Sequence, residues 1–144
     1  MASWRDRVSE PAQEDLDGLL DTALILAEER LAARGTLSPF VLAVDRQTGA
    51  TDLVGVPDGP AQQARESGYR AAVGIRTRIR AAAVVTDVSL TETGGDAIAV
   101  YLEHAEGVAL SVAQPYRLED GEILTDDLEA RPERRRIWGP PAQG

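Results

Sequence analysis

The chain has 144 residues, the length of one ordinary domain, and 24 acidic against 15 basic residues give it a formal charge of −9. Such acidity argues against a general nucleic-acid binder. The absence of cysteine excludes a disulfide framework, a zinc-thiolate site and a cysteine nucleophile. No apolar run approaches the ~18 residues of a membrane span, and the first residues lack the apolar stretch of a secretory signal. We therefore expect a cytoplasmic protein with no membrane or nucleic-acid partner.

The first third of the chain predicts a helix followed by a hairpin. Residues 1–11 are polar and end at Pro11, which indicates a flexible N-terminal arm. From Ala12 onward, apolar residues recur at spacings of three and four, which predicts an amphipathic helix with Gly35 just beyond its end. Apolar runs at 40–44 and 52–56 then flank a turn and predict a β-hairpin. The first run is nearly continuous, as is typical of a strand covered on both faces.

A second helix is predicted to begin near Pro60, with Asp58 as its cap. Gly68 and Gly74 each weaken it by about 1 kcal/mol relative to alanine. The boundary with the following strand is ambiguous, because alternation also begins near Arg76. The helix is therefore predicted to end anywhere between residues 73 and 80.

Three strands with clear β patterns follow, and Pro115 is expected to end the last one. The element order α-β-β-α-β-β-β predicts a single α+β domain over residues 12–117. In that domain two main helices and an antiparallel sheet of about five strands form two layers. Residues 118–144, first acidic and then arginine-rich, form a C-terminal extension. The predicted strands span 82–90, 96–104 and 108–114.

The order helix, hairpin, helix and three-strand meander over residues 12–114 resembles that of the roadblock and profilin-like domains. The segments 85–88, 96–100 and 102–104 also look similar to small uncharacterised actinobacterial proteins. The first resemblance implies a non-catalytic dimerising platform, and the second implies no activity. No motif matches, so no functional residue is carried over to this chain.

One candidate for acid–base chemistry is the cluster Asp87, Glu103, His104 and Glu106, since a histidine near carboxylates can transfer protons near neutral pH. Glu103 and His104 are neighbours in a predicted strand, so their side chains point to opposite faces. Next to the turn at 106–107, we expect His104 to be solvated. One histidine with scattered carboxylates also lacks the spacing of metal ligands. We therefore assign no catalytic residue and expect no metal.

A second candidate is a group of arginines. Residues 65–80 hold five arginines and one acidic residue, whereas residues 81–130 hold eleven acidic residues and one arginine. These arginines either bind an anion or neutralise acidic neighbours in the same fold, and we favour the second interpretation. The candidate ligand-binding residues are Arg70, Arg76, Arg78 and Arg80.

A third candidate is a flat face of small residues on two adjacent strands. An open antiparallel sheet normally presents a more charged face to water, so this face is either covered or an exposed apolar patch. The cover is the C-terminal extension, with Ile137 and Trp138 as anchors, or one of the helices, or a second subunit. The candidate interaction face consists of Ala97, Ala99, Tyr101, Ala109, Ser111 and Ala113.

The sequence thus combines an aliphatic core with no convergent catalytic set and no phosphate-, dinucleotide- or metal-binding motif. We favour a non-catalytic protein over an enzyme and expect no cofactor. The leading hypothesis is a non-catalytic protein–protein interaction module that acts as a homodimer. One alternative is an anionic-ligand-binding or hydrolytic domain that uses the arginines of 65–80. Another is an immunity-type acidic protein that binds a basic partner.

Overall fold

The computed structural model describes residues 3–55, 60–90 and 94–139. Within these ranges the chain forms two α-helices and an antiparallel sheet of seven strands. The α+β class and the order of the predicted elements are confirmed, and the sheet has two more strands than the five expected. The helices are α1 (Glu10–Arg34) and α2 (Ala61–Gly74), and the strands are β1 (Phe40–Asp45), β2 (Thr51–Gly55), β3 (Ile79–Ser89), β4 (Asp96–His104), β5 (Val108–Glu119), β6 (Glu122–Thr125) and β7 (Glu129–Pro132).

The helix α1 begins at Glu10, two residues before the predicted start at Ala12, and ends at Arg34, with Gly35 just beyond its end as predicted. Ser9 caps its first turn by accepting from the backbone N–H of Ala12. Gly35 ends it in the left-handed conformation, with φ of 75°, which glycine adopts without steric penalty. The segment predicted as a flexible arm contains a 3-10 helix at Trp4–Arg7, and Trp4 packs against the core beneath α1.

The second helix begins at Ala61 and ends at Gly74, near the start of its predicted range. The proposed cap Asp58 lies outside the described residues. The structure explains why position 68 is a glycine, which the helix pattern did not indicate. A Cβ atom there would lie 2.6 Å from Cγ1 of Val84, so glycine lets α2 approach β3 closely.

The sheet has the strand order β2-β1-β3-β4-β5, and two short strands share the outer edge of β5. The first half of β5 pairs with β7 and the second half with β6. Contrary to expectation, β5 runs through Pro115. The carbonyl of Pro115 accepts from the N–H of Asp126, so its nitrogen also faces the outer edge. At Pro115 the strand that pairs with β5 changes from β7 to β6, so no backbone N–H donor is needed at this position.

The two helices lie on opposite faces of the sheet. In β1, Phe40, Leu42 and Val44 belong to the apolar cluster beneath α1, whereas Val41 and Ala43 belong to the cluster beneath α2. The arrangement therefore differs from the two layers expected, because the central strands are apolar on both sides and need cover on both.

The C-terminal residues belong to the domain as far as they are described. Residues 118–132, expected as an extension, continue β5 and form β6 and β7. The segment that follows crosses the α2 face, and we call residues 134–138 the strap. Residues 140–144 of the predicted extension lie outside the described part.

Neither described helix is long and apolar enough to cross a membrane.

Candidate functional site

A fully buried carboxylate organises the α2 face. Glu103, on β4, has an exposed fraction of 0 %. Its Oε1 accepts the backbone N–H groups of Arg136 and Ile137, both at 2.8 Å, and its Oε2 accepts that of Trp138 at 2.9 Å. The Nε of Arg135 lies 3.2 Å from Oε2. A buried charge is tolerated only when it is paired and hydrogen-bonded, and the strap supplies both kinds of partner.

Tyr101 completes this arrangement. Its hydroxyl donates to Oε1 of Glu103 and accepts from the N–H of Arg136. Burial, together with the hydrogen bond to the Glu103 carboxylate, raises the pKa of Tyr101 well above its usual value. The phenol therefore keeps its proton and acts as a donor.

The strap also contacts α2 and the turn after it. Ile137 is buried in the same apolar cluster as Tyr101 and Ala109. The indole N–H of Trp138 donates to the carbonyl of Arg76, and the Arg76 guanidinium donates to the carbonyl of Ile137, each at 3.2 Å.

The predicted interaction face is thus covered in part by the chain itself. Ala97, Tyr101 and Ala109 are buried, whereas the remaining three residues are partly exposed. The strap and α2 are the two elements that pack on this face. The partly exposed residues are Ala99, Ser111 and Ala113.

A cavity of about 360 Å³ lies over the partly exposed portion, between α2, the sheet, β7 and the strap. Thr86 borders it, is 2 % exposed, and has no hydrogen-bond partner for its hydroxyl among the described residues. An unsatisfied buried hydroxyl costs about 1–3 kcal/mol, so this group favours a ligand or water in the cavity. The polar and aromatic lining includes Arg65, Tyr69, Thr86, Ser111, Arg131 and Arg136.

Three guanidinium groups line this cavity in a chain that is acidic as a whole. Within the described ranges, Arg65, Arg131 and Arg136 form no salt bridge. The Arg136 guanidinium instead lies 5.0 Å from the centre of the Tyr69 ring. Glu66 and Glu133 also line the cavity, so the arginines outnumber the carboxylates by three to two.

The candidate acid–base cluster does not converge. Glu103 binds the strap on one face, whereas His104 lies on the other face beneath α1. The hydroxyl of Tyr116 donates to Asp87 at 2.8 Å, and Glu106 accepts from the N–H and hydroxyl of Ser9. The three carboxylates therefore bind different partners, and none of them forms a side-chain hydrogen bond with His104 among the described residues.

The prediction that His104 is solvated is wrong, because its side chain is only 4 % exposed. Its Nε2 lies 2.9 Å from Oδ2 of Asp15 on α1, and its Nδ1 accepts the N–H of Glu106. Nε2 is therefore the nitrogen that carries the proton toward Asp15.

Asp15 is held by His104 and by the bidentate guanidinium of Arg80, at 2.9 and 3.0 Å. Burial alone would raise the pKa of Asp15, but the hydrogen bonds from Arg80 and His104 outweigh it and lower the pKa below its usual range. This cluster ties α1 to the start of β3 and the end of β4, and its donors and acceptors are already paired with one another.

The four candidate arginines are also dispersed. Arg80 binds Asp15 beneath α1, and Arg76 holds the strap on the opposite face. Arg70 and Arg78 are exposed. They do not meet at one site, so anion binding by these four remains a prediction.

The cavity residues Thr86, Arg131 and Arg136 were not among the sequence-based candidates. A signal for the strap was present in the sequence: Glu103 interrupts a strand that is apolar on both faces, and a run of three arginines follows it at 134–136. A buried carboxylate requires donors, and the arginine run marks the segment that supplies them.

A second cavity, of about 780 Å³, lies where β6 meets the end of β3 and the start of β4. Its charged lining is mainly acidic, with Asp96, Asp126 and Glu129 against Arg117. Among the described residues that line it, the one buried hydroxyl, on Tyr116, already donates to Asp87. In the described part of the chain, no group of three histidine, aspartate or glutamate side chains is arranged to hold a metal ion.

Comparison with protein-family models found no matching family. Neither a search of curated proteins nor a search of solved structures found a match. The cavity on the α2 face, which we call the α2-face cavity, is therefore the feature of the molecule that best indicates a function.

Proposed function

We propose that this chain is a non-catalytic binding module and that the α2-face cavity holds a small molecule carrying a phosphate or carboxylate group. The observation that carries the proposal is the buried Thr86 hydroxyl, which has no partner among the described residues, on a cavity whose three arginines form no salt bridge with any described residue. A volume of about 360 Å³ falls within the ~300–1,000 Å³ of ordinary ligand sites.

The chemistry of the lining favours an oxyanion. Arginine presents a planar fork of donors that matches phosphate and carboxylate oxygens. The Thr86 hydroxyl can donate to the same group or to a neighbouring oxygen. The ring of Tyr69, beside Arg136, offers an apolar surface to the organic part of the ligand.

The same lining favours binding over catalysis. A nucleophilic hydroxyl needs a base within hydrogen-bond reach, about 2.6–3.2 Å. In the described structure no base lies within that distance of Thr86, since its hydroxyl has no polar partner. The one histidine is on the opposite face, bound to Asp15.

Isothermal titration and thermal unfolding at constant ionic strength test this proposal. The probes are phenyl phosphate, benzoate and, as the uncharged control, phenol. We expect one of the two anions to bind the protein and raise its Tm, and phenol to do neither. If neither anion binds more tightly than phenol, the proposed function is wrong.

Thr86→Val sharpens the test because it replaces the hydroxyl with a methyl group of similar size. We expect the variant to bind the anion several-fold more weakly while unfolding at the same or a higher temperature, since an unsatisfied buried group has been removed. The control is Thr51→Val, at an exposed position on β2, which should leave the affinity unchanged.

A homodimer is the second candidate, and the free edge of the sheet favours it. In the described structure β2 has a strand partner only in β1, and Leu53 on β2 is 52 % exposed. Two copies of an edge strand can pair antiparallel about a two-fold axis. The resemblance to the dimerising roadblock domains points to the same oligomeric state.

Light scattering after size-exclusion chromatography tests the dimer. Leu53→Lys should convert the dimer to a monomer, because a lysine on an edge strand opposes pairing. Ile25→Lys is the matched control, since Ile25 is 58 % exposed on α1. A wild-type monomer at tens of micromolar would rule out the dimer.

A further inference from the structure

The strap forms part of the cavity that it crosses. Of the three arginines that line the cavity, Arg131 belongs to β7 and Arg136 to the strap itself. The strap is held mainly by its own backbone, through three N–H groups on the Glu103 carboxylate. The cationic lining is therefore complete only when the strap is docked.

Undocking would also make the cavity and its surroundings more negative. Glu103 adjoins Tyr101, which lines the cavity. With the strap away, the Glu103 carboxylate would lose its three backbone donors and Arg135, and Arg136 would leave the cavity. The remaining lining would then carry more negative charge, and an anion would bind it poorly.

We infer that docking of the strap on Glu103 and binding of an oxyanion in the α2-face cavity are coupled, so that each stabilises the other. This inference rests on the proposed function, because it requires that the cavity bind an anion. Thermodynamic linkage then demands reciprocity: whatever weakens strap docking weakens anion binding, and the bound anion holds the strap.

The anchor that best separates docking from direct anion contact is Ile137. It is the one fully buried side chain of the strap, and it is not part of the cavity lining. Shortening it therefore weakens docking without removing a group that touches the anion. Ile123 on β6 is a suitable control, because it is an isoleucine that packs against the core on the opposite face.

The experiment uses the full chain and the oxyanion probe that the titration identifies, phenyl phosphate or benzoate. Amide hydrogen exchange of Arg136, Ile137 and Trp138 is measured with and without saturating probe at constant ionic strength. We expect exchange to slow by about tenfold, within the usual range of coupling between two sites. Ile137→Ala should weaken anion binding by a similar factor, and Ile123→Ala should leave it unchanged.

The outcomes separate the two proposals. If the wild-type protein binds neither anion, the proposed function and the coupling are both wrong. If an anion binds but strap exchange is unchanged and Ile137→Ala binds it as tightly as the wild type, only the coupling is wrong. Should Ile137→Ala not fold, Trp138→Phe replaces it, since this change removes the indole donor to the Arg76 carbonyl. Slower strap exchange with bound anion, together with weaker binding by the strap variant, supports the coupling.

Discussion

The backbone N–H of Ile137 donates to Oε1 of Glu103 at 2.8 Å, across 34 residues of chain. This single contact shows how the arginine-rich end of the sequence becomes part of the domain. The position of Glu103 on β4 places its carboxylate in the interior, and the strap supplies the hydrogen-bond donors that make this burial possible. Stability and the shape of the candidate site therefore depend on the same residues.

Replacing Glu103 with glutamine should destabilise the protein by about 2–3 kcal/mol, because the amide loses the charge and turns two donor hydrogens toward backbone N–H groups. Urea unfolding, with the slope compared between variants, measures the effect. Glu129→Gln, at an exposed position of β7, is the control and should change little. A loss in Glu103→Gln no larger than that of the control would contradict the role assigned to the carboxylate.

Gly68→Ala should destabilise the fold by about 1–3 kcal/mol through overpacking, even though alanine is the better helix former. The reason is the 2.6 Å approach of the added Cβ to Val84. Gly18→Ala, in α1 with nothing within 4 Å of its Cβ, should stabilise by up to about 1 kcal/mol. Thermal unfolding of the two variants should therefore shift in opposite directions, and a shift in the same direction would argue against close contact at Gly68.

Asp15→Asn should be less stable than the wild type at pH 7 by about 1–2 kcal/mol, because it weakens the charged hydrogen bonds to Arg80 and His104. The folded-state pKa of Asp15 is lowered, so its contribution is present above the ordinary carboxyl pKa of ~4 and is lost as the pH falls through the folded value. Urea unfolding from pH 7 down to pH 2 should show that the difference in free energy of unfolding between the wild type and the variant shrinks in acid. A difference that stays constant would contradict this assignment.

Asp87→Asn should have the opposite effect. Burial raises the pKa of Asp87, despite the hydrogen bond from Tyr116, so the charged form is destabilising above that pKa. Asparagine keeps an acceptor for Tyr116 and carries no charge. We expect the variant to be more stable at pH 7 by up to about 1 kcal/mol, with the gap closing as acid protonates the wild-type carboxyl. Lower stability of the variant at pH 7 would contradict the prediction.

Local patterns were sufficient to predict most elements. The three-and-four spacing of α1 and the glycine at position 35 are short-range signals, and both hold in the structure. The strand β4 spans the predicted residues 96–104. In contrast, β5 continues past Pro115. Proline lacks a backbone N–H, but its nitrogen faces the outer edge of β5 at the point where the pairing partner changes from β7 to β6. The position of Pro115 within a strand therefore depends on β6 and β7, which lie later in the chain.

The candidate site was less accessible to sequence reasoning. The sequence predicts the small-residue face and offers the C-terminal extension, anchored by Ile137 and Trp138, as one of three possible covers for it. Thr86 and Arg131 carried no sequence signal, because each is an ordinary strand residue until the fold places it on the cavity. The arginines of 65–80 form a charge run in the sequence, yet in the fold they separate onto different faces and, of these five, only Arg65 lines the cavity.

By itself, the sequence determined the α+β class, the order of the elements and most of their boundaries, since these follow from hydrophobic periodicity and from glycine and proline over a few residues. Only the tertiary structure decided that α1 and α2 cover opposite faces, that His104 is buried against Asp15 and that the strap closes over Glu103. The physical reason is that burial and charge compensation are properties of groups far apart in the chain, and they are established when the sheet brings those groups together.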